Sequence, residues 1–412
     1  MKNLKVVATL GATLYLGGCA SGNMEAYESG MEQSATESAS KPVKSEDIGK
    51  YRVTDLKPGH RPPLNTDEGG LWMKMDKAEG GLRSSGNIIT DKALNAYVRR
   101  VTCRVAGRYC KDIRIYLARV PHFNATMAPN GAMQIWSGLL LRVRNEAQLA
   151  AVIGHEIAHY LRQHSLKQMR STIDTASSLT FFNIATLGIT AGLADLAAVG
   201  SLKANNRNFE READGYGLVL MAKAGYDPLE APKVWEYLIK EQIAEKGEES
   251  SAFFLSTHPA KRERVIALRR LSKKAKRRWS KARKIGRKSY LRRIRPYRTR
   301  LLRDELQLQR FKRSQALLNS LKKDRTGMSE LHYYQGELHR LRNKKGDRKR
   351  ALAFYQQALR AGRPPAELHR AMGLMLLKEK QQAKANRAFG RYLRRAPNAE
   401  DAEMIRHMMK RG

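Results

Sequence analysis

The stretch VIGHEIAHYLRQHS, Val152–Ser165, sets three histidines and one glutamate into a segment that otherwise reads as apolar helix. Just upstream, Asn145 and Gln148 make a capping pair for a helix beginning at Glu146, so NEAQLAAVIGHEIAHYL is expected to be helical throughout. Four residues are about one turn, which puts His155 and His159 on one face with their rings converging on a point. Glu156 then stands beside that point without having to ligate. This His-Glu-x-x-His spacing is a zinc-binding arrangement in which the glutamate takes a proton from metal-bound water. The flanking residues are small or apolar, as in a buried helix, where a His-Glu-His triplet without a cation is electrostatically costly.

A catalytic zinc usually takes three protein ligands and a water. His164 follows His159 by five residues with no intervening glycine, and is read as a helix-end residue rather than a ligand. No glutamate lies between Glu156 and Glu210. The next carboxylates of that type, Glu210 and Glu212 in NFEREADGYG, stand about 200° apart on a helix, so only one can face the metal.

His-Glu-x-x-His followed some fifty residues later by Glu-x-x-Ala-Asp resembles the metallopeptidase family that includes the CAAX prenyl endopeptidases and the bacterial β-barrel-assembly-enhancing proteases. The resemblance implies Glu210 as the third zinc ligand, Asp214 as the aspartate that orients a ligand histidine, and Ala213 as the small residue that lets two helices approach. NATMAPNGAMQIWSGLL, Asn124–Leu140, resembles the strand bordering the family's cleft. There Asn124, Gly131, Ala132, Met133 and Gln134 would face an extended substrate joined by main-chain hydrogen bonds, although the same Asn and Gly fit a plain hairpin. THPAKRER resembles the family's His-Pro motif and maps to His258 and Arg264, in relatives a regulatory or oxyanion-stabilising site. The implied site thus has His155, His159 and Glu210 on one Zn2+ per chain, with Glu156, Asp214 and His258 as catalytic residues. The similarity covers about residues 85–270.

Outside that region the chain changes character. MKNLKVVATLGATLYLGGC has two early lysines, a short apolar run and small residues before Cys19, and resembles a bacterial lipoprotein signal. We therefore expect a signal peptide at 1–18, lipidation of Cys19, and a flexible tether over 19–60, rich in Ser, Glu, Gly and Lys. Ala20 after the cysteine fits an outer-membrane lipoprotein facing the periplasm. In that oxidising compartment Cys103 and Cys110, seven apart around Gly107, are candidates for a disulfide. The apolar segment 171–202 is interrupted by Asn183 and Asp195, which fits a packed helical pair or a lid better than a membrane span.

The formal charge is +39 over 412 residues, and residues 261–300 hold 20 Lys plus Arg against Glu263 alone. Only Trp279, Tyr290 and Tyr297 interleave with those charges and the chain is expected to be secreted, so no nucleic acid is expected; anionic lipid or an acidic envelope partner fits better. Farther on, Gly373, Ala385, Phe389 and Pro397 stand 12, 4 and 8 residues apart, the positions of a tetratricopeptide repeat, with an earlier copy around Gly336, Ala351, Tyr355, Ala358 and Pro364. The expected fold is α+β: a mainly helical gluzincin-type metallopeptidase domain with a small β-sheet over 61–270, a basic helical connector over 271–297, and an all-α tetratricopeptide-like solenoid over 298–412. The expected function is a lipid-anchored periplasmic zinc endopeptidase acting on envelope proteins or unfolded polypeptides, with the repeats docking onto envelope assembly machinery. The alternative is a chaperone-like assembly factor whose proteolysis is gated or dispensable.

Overall fold

The computed structural model describes residues 48–51, 54–174, 207–246 and 262–410. The signal 1–18, Cys19, most of the tether and of the 171–202 segment, and His258 lie outside the described residues.

The central element is helix α4, Glu146–Leu161, which follows three other helices: α1 Asp67–Ser84, α2 Lys92–Ala106 and α3 Ser137–Arg142. Asn145 caps α4 by accepting from the Gln148 amide (2.8 Å), and the Gln148 side chain accepts in return from the Arg144 amide (2.8 Å). All of α4 except Ala151 is buried, the pattern of a helix enclosed on every side. Beyond it follow α5 His164–Asp174, α6 Arg207–Lys223, α7 Ala231–Lys246 and α8 Arg262–Arg278.

A three-stranded sheet lies beside this helical core, with β1 Arg114–Ala118, β2 Ala125–Met127 and β3 Ala132–Trp136 in the order β1-β3-β2. β3 runs parallel to β1, with Arg114 opposite Ala132, and antiparallel to β2, with Ala125 opposite Ile135. Gly131 closes the β2–β3 hairpin at φ 89°, and a Cβ there would come within 2.2 Å of the Asp112 carbonyl oxygen. Cys103 near the end of α2 is disulfide-bonded to Cys110, with Cα atoms 4.7 Å apart.

The C-terminal helices are α9 Arg287–Gln307, α10 Phe311–Lys322, α11 Met328–Arg342, α12 Asp347–Arg360, α13 Glu367–Lys378, α14 Gln382–Arg395 and α15 Ala402–Lys410. Helix α8 runs through residue 270 and α9 through residue 297, so neither end of the basic stretch coincides with a break in structure. Tyr290 of α9 is buried and its hydroxyl donates to the Leu140 carbonyl (2.5 Å), which packs this stretch onto α3. Buried Arg142 of α3 bridges Glu241 of α7 (2.7 Å) and Glu305 of α9 (2.8 Å). In the two hairpins α11–α12 and α13–α14, Gly336 lies under Tyr355 and Gly373 under Phe389; a Cβ on either glycine would come within 2.4 Å of the ring. Among the described residues no helix is long and apolar enough to cross a membrane.

Candidate metal centre

Two helices make the site, and glycines set their separation. A Cβ on Gly154 of α4 would stand 2.9 Å from the Gly217 carbonyl oxygen, and one on Gly217 of α6 would stand 2.9 Å from the His155 amide nitrogen. Ala213 is fully buried, but the two glycines make the close approach. Gly154 of VIGHE and Gly217 of GYG are the sequence signals for it.

That approach brings His155, His159 and Glu210 together, each offering a ligand atom within 4.8 Å of the others. The Nε2 atoms of the two histidines are 3.1 Å apart, Glu210 Oε2 is 3.5 Å from His155 Nε2, and Glu210 Oε1 is 3.3 Å from His159 Nε2. Ligands at zinc distances of about 2.0–2.1 Å in a tetrahedron are separated by about 3.3 Å, so these donors fit the metal that their N,N,O chemistry suits. Glu156, on the same helix, is fully buried.

Both histidines are held from behind through Nδ1. His155 Nδ1 meets Asp214 Oδ1 at 3.1 Å. His159 Nδ1 meets His164 Nδ1 at 2.9 Å, and His164 Nε2 meets Glu212 Oε2 at 2.9 Å. With Nε2 turned to the metal, His159 must carry its proton on Nδ1 and donate it to His164, whose own proton then sits on Nε2 and goes to Glu212. Arg162 Nε donates to the other Glu212 oxygen (2.9 Å), and the His164 ring stacks on Phe209 at 4.3 Å. His164, set aside in the sequence as a helix-end residue, is therefore fully buried beside a ligand, and Glu212 reaches the site through it.

Arg264 occupies the opposite flank. Its Nε and Nη2 donate to the two Asp214 oxygens (both 2.8 Å), its Nη1 lies 2.7 Å from Glu210 Oε2, and its guanidinium covers the Trp235 ring at 4.5 Å. Such contacts commit it to two carboxylates, which makes it a positioning residue rather than a free oxyanion donor. Its charge holds the Asp214 carboxyl below the usual range against the opposing effect of burial. Burial also disfavours a charged His155, but Asp214 and Glu210 outweigh it and push that imidazole up to about 9. Burial dominates at His159, which is held well below the ordinary value. Hydrogen bonding from His164 leads the effects that lower Glu212 to about 2.

The strand residues separate into two groups. Ala132, Met133 and Gln134 lie on β3, the middle strand, whose main chain already pairs on both sides, so they cannot receive a substrate strand. Gly131 belongs to the hairpin turn. The sheet has two edges: β1, whose outer side is bridged only near Ala118 by Ile88, and β2, immediately after Asn124. Asn124 is fully buried, its carbonyl accepts from the Trp136 amide (3.0 Å), and its side-chain amide has no hydrogen-bond partner among the described residues. The sequence pattern ran through both strands and could not say which was central.

Residues 89–272 match the model of Peptidase family M48. Over 174 residues the chain is 34% identical to mitochondrial metalloendopeptidase OMA1 of Schizosaccharomyces pombe, covering 41% of this chain and 50% of that protein. It is 28% identical over 212 residues to the putative beta-barrel assembly-enhancing protease of Vibrio cholerae, covering 48% and 42%. With the beta-barrel assembly-enhancing protease of Escherichia coli the identity is 27% over 203 residues, covering 46% and 41%. The chain spans half or less of the length of these relatives.

Proposed function

We propose, from the premise that residues 89–272 are a Peptidase family M48 metallopeptidase segment, that the chain is a zinc-dependent endopeptidase of the bacterial cell envelope. The observation that carries the reading is the set of three donors 3.1–3.5 Å apart on two helices, with Glu156 one residue from His155. When bound there, zinc supplies a water of lowered pKa and polarises the scissile carbonyl. The residues of the chain do the rest. His155, His159 and Glu210 hold the ion; Asp214 and His164 fix the two imidazoles by their Nδ1 atoms; Arg264 fixes Asp214 and one side of Glu210. Glu156 takes a proton from the attacking water onto its carboxylate and returns it to the leaving amine. A substrate strand added to the edge of β2 beside Asn124 would lie along the cleft.

Names of relatives point to two compartments, the mitochondrion and the machinery of bacterial β-barrel assembly. The lipoprotein-like signal ending at Cys19 supports the bacterial one, with the chain anchored in the outer membrane, facing the periplasm and acting in quality control of envelope proteins. We take the hairpins α11–α12 and α13–α14 as tetratricopeptide-like repeats, on the strength of Gly336 under Tyr355 and Gly373 under Phe389, and as the part that engages assembly machinery.

The test is Glu156→Gln in the full chain. The variant is expected to keep one zinc per chain by metal analysis and to lose cleavage of an unfolded polypeptide by about two to four orders of magnitude. Cleavage at the wild-type rate by the zinc-loaded variant refutes the assignment.

A further inference from the structure

A second site of opposite character lies in the C-terminal helices. A cleft of about 680 Å³ opens between α9, the α10–α11 turn, the α12–α13 loop and the end of α14. Five arginines and two glutamates line it. The glutamates are already satisfied: Glu330 pairs with Arg298 (2.6 Å) and Glu367 with Arg303 (2.9 Å). The other four arginines, Arg295, Arg325, Arg363 and Arg395, have no carboxylate partner among the described residues, although three of them are exposed and one half-buried around a single cavity.

Their arrangement is held rather than accidental. Arg395 donates to the Pro364 carbonyl (2.5 Å), which leaves the rest of its fork towards the cleft wall. Burial, then the charge of Arg363, lower its pKa against the opposing pull of Glu367, so two like charges are kept close on one wall. Arg298 packs onto Gly327 so tightly that a Cβ there would collide with the guanidinium. Helices α11 and α13 both begin at this cleft, with Glu330 and Glu367 in their first turns.

We propose that this cleft binds an acidic polypeptide segment, whose aspartate and glutamate side chains the four arginine forks receive. Carboxylates match a planar guanidinium in pairs of parallel hydrogen bonds. The volume is that of a site for a small ligand or a few residues of chain. Its wall also offers Met328, Ala361 and Pro365, apolar surface for the segment's own side chains. The inference does not depend on the peptidase reading, because it concerns equilibrium binding at arginines outside the metal centre.

The test uses full chain carrying Glu156→Gln, so that cleavage does not enter, and a fluorescein-labelled hexaglutamate peptide with an amidated C-terminus. Arg363→Ala with Arg395→Ala is expected to weaken binding, read by anisotropy, by about tenfold or more. Arg270→Ala with Lys273→Ala removes the same charge from an exposed face of α8 and is expected to change binding by less than about twofold. Arg363→Glu alone guards against a folding defect, since its side chain is exposed and makes no ion pair among the described residues; it is expected to weaken binding at least as much as the double alanine variant. Equal weakening in both alanine pairs would mean diffuse attraction to net charge and overturn the proposal. So would unchanged peptide binding in the cleft variants, whether or not they lose binding to phosphatidylglycerol vesicles.

Discussion

Replacing His164 by Phe tests the reading of the metal centre at a residue that spacing alone does not mark as part of it. Phenylalanine keeps the ring that stacks on Phe209 at 4.3 Å and removes the acceptor 2.9 Å from His159 Nδ1. His159 is fully buried, so no water takes over, and an unsatisfied buried N–H costs about 1–3 kcal/mol. That cost falls on the zinc-bound form, in which His159 must carry its proton on Nδ1. Losing the partner of a ligand histidine weakens metal binding by about 10–100-fold, or about 1.4–2.7 kcal/mol, and the two figures agree. Zinc affinity measured by competition with a chromophoric chelator should therefore fall by that factor, while metal-free protein unfolds in urea near the wild-type midpoint. His164→Asn offers an amide oxygen close to the lost Nδ1 and should recover much of the loss. Glu212→Gln keeps an acceptor for His164 Nε2 and should lie at the low end of the range. A Phe variant that binds zinc within twofold of wild type refutes the hydrogen-bonded chain from Glu212 to His159.

Three further outcomes concern the frame that carries the centre. Arg142→Ala leaves Glu305, 1% exposed, without its ion pair and Glu241, 3% exposed, with only Arg313 at 3.3 Å, and should cost about 3 kcal/mol in urea unfolding. Replacing Cys103 and Cys110 by Ser opens a short loop and should cost about 2–3 kcal/mol by the same measurement, with no change in zinc stoichiometry. Glu79→Gln addresses pH: burial would raise this carboxyl, but Arg114 and Tyr116 bring it below the ordinary 4.5. A depressed folded value stabilises fully above the unfolded value and is lost as pH falls through the folded one. The wild-type advantage over Glu79→Gln, about 1–3 kcal/mol, should thus be constant above about pH 5 and shrink towards pH 3.

What could be read in the sequence was what depends on spacing within one element. His155 and His159 share a face because four residues make a turn, and Asn145 with Gln148 announces where that turn begins. The Gly, aromatic and Ala positions of the C-terminal hairpins were legible for the same reason, since their periods are those of packed helices. What could not be read depended on two elements meeting. Glu212 was rejected as a ligand because it points away from Glu210, and that argument holds; it says nothing of His164, which arrives from another helix to meet it. Arg264 had a place in a motif but no geometry, and only the junction of α8 with α6 shows it bound to Asp214 and Glu210. β3 could not be told from β2 because each carries an alternation suited to a strand, and edge or centre is settled by neighbours that sequence spacing does not encode.

The large positive charge shows the same division. Read as a run, residues 261–300 suggested one basic surface, yet the fold spends part of it internally: Arg264 on the metal centre, Lys276 on Asp227, Arg287 on Asp324 and Arg298 on Glu330. The arginines that converge without carboxylate partners of their own among the described residues, Arg295, Arg325, Arg363 and Arg395, come from four places in the chain, three of them beyond that run. A partner that recognises charge should therefore respond to where the helices gather it and not to the densest stretch of Lys and Arg. That is why two alanine pairs of equal charge, one at the cleft and one on α8, are expected to differ about fivefold or more in their effect on an acidic peptide.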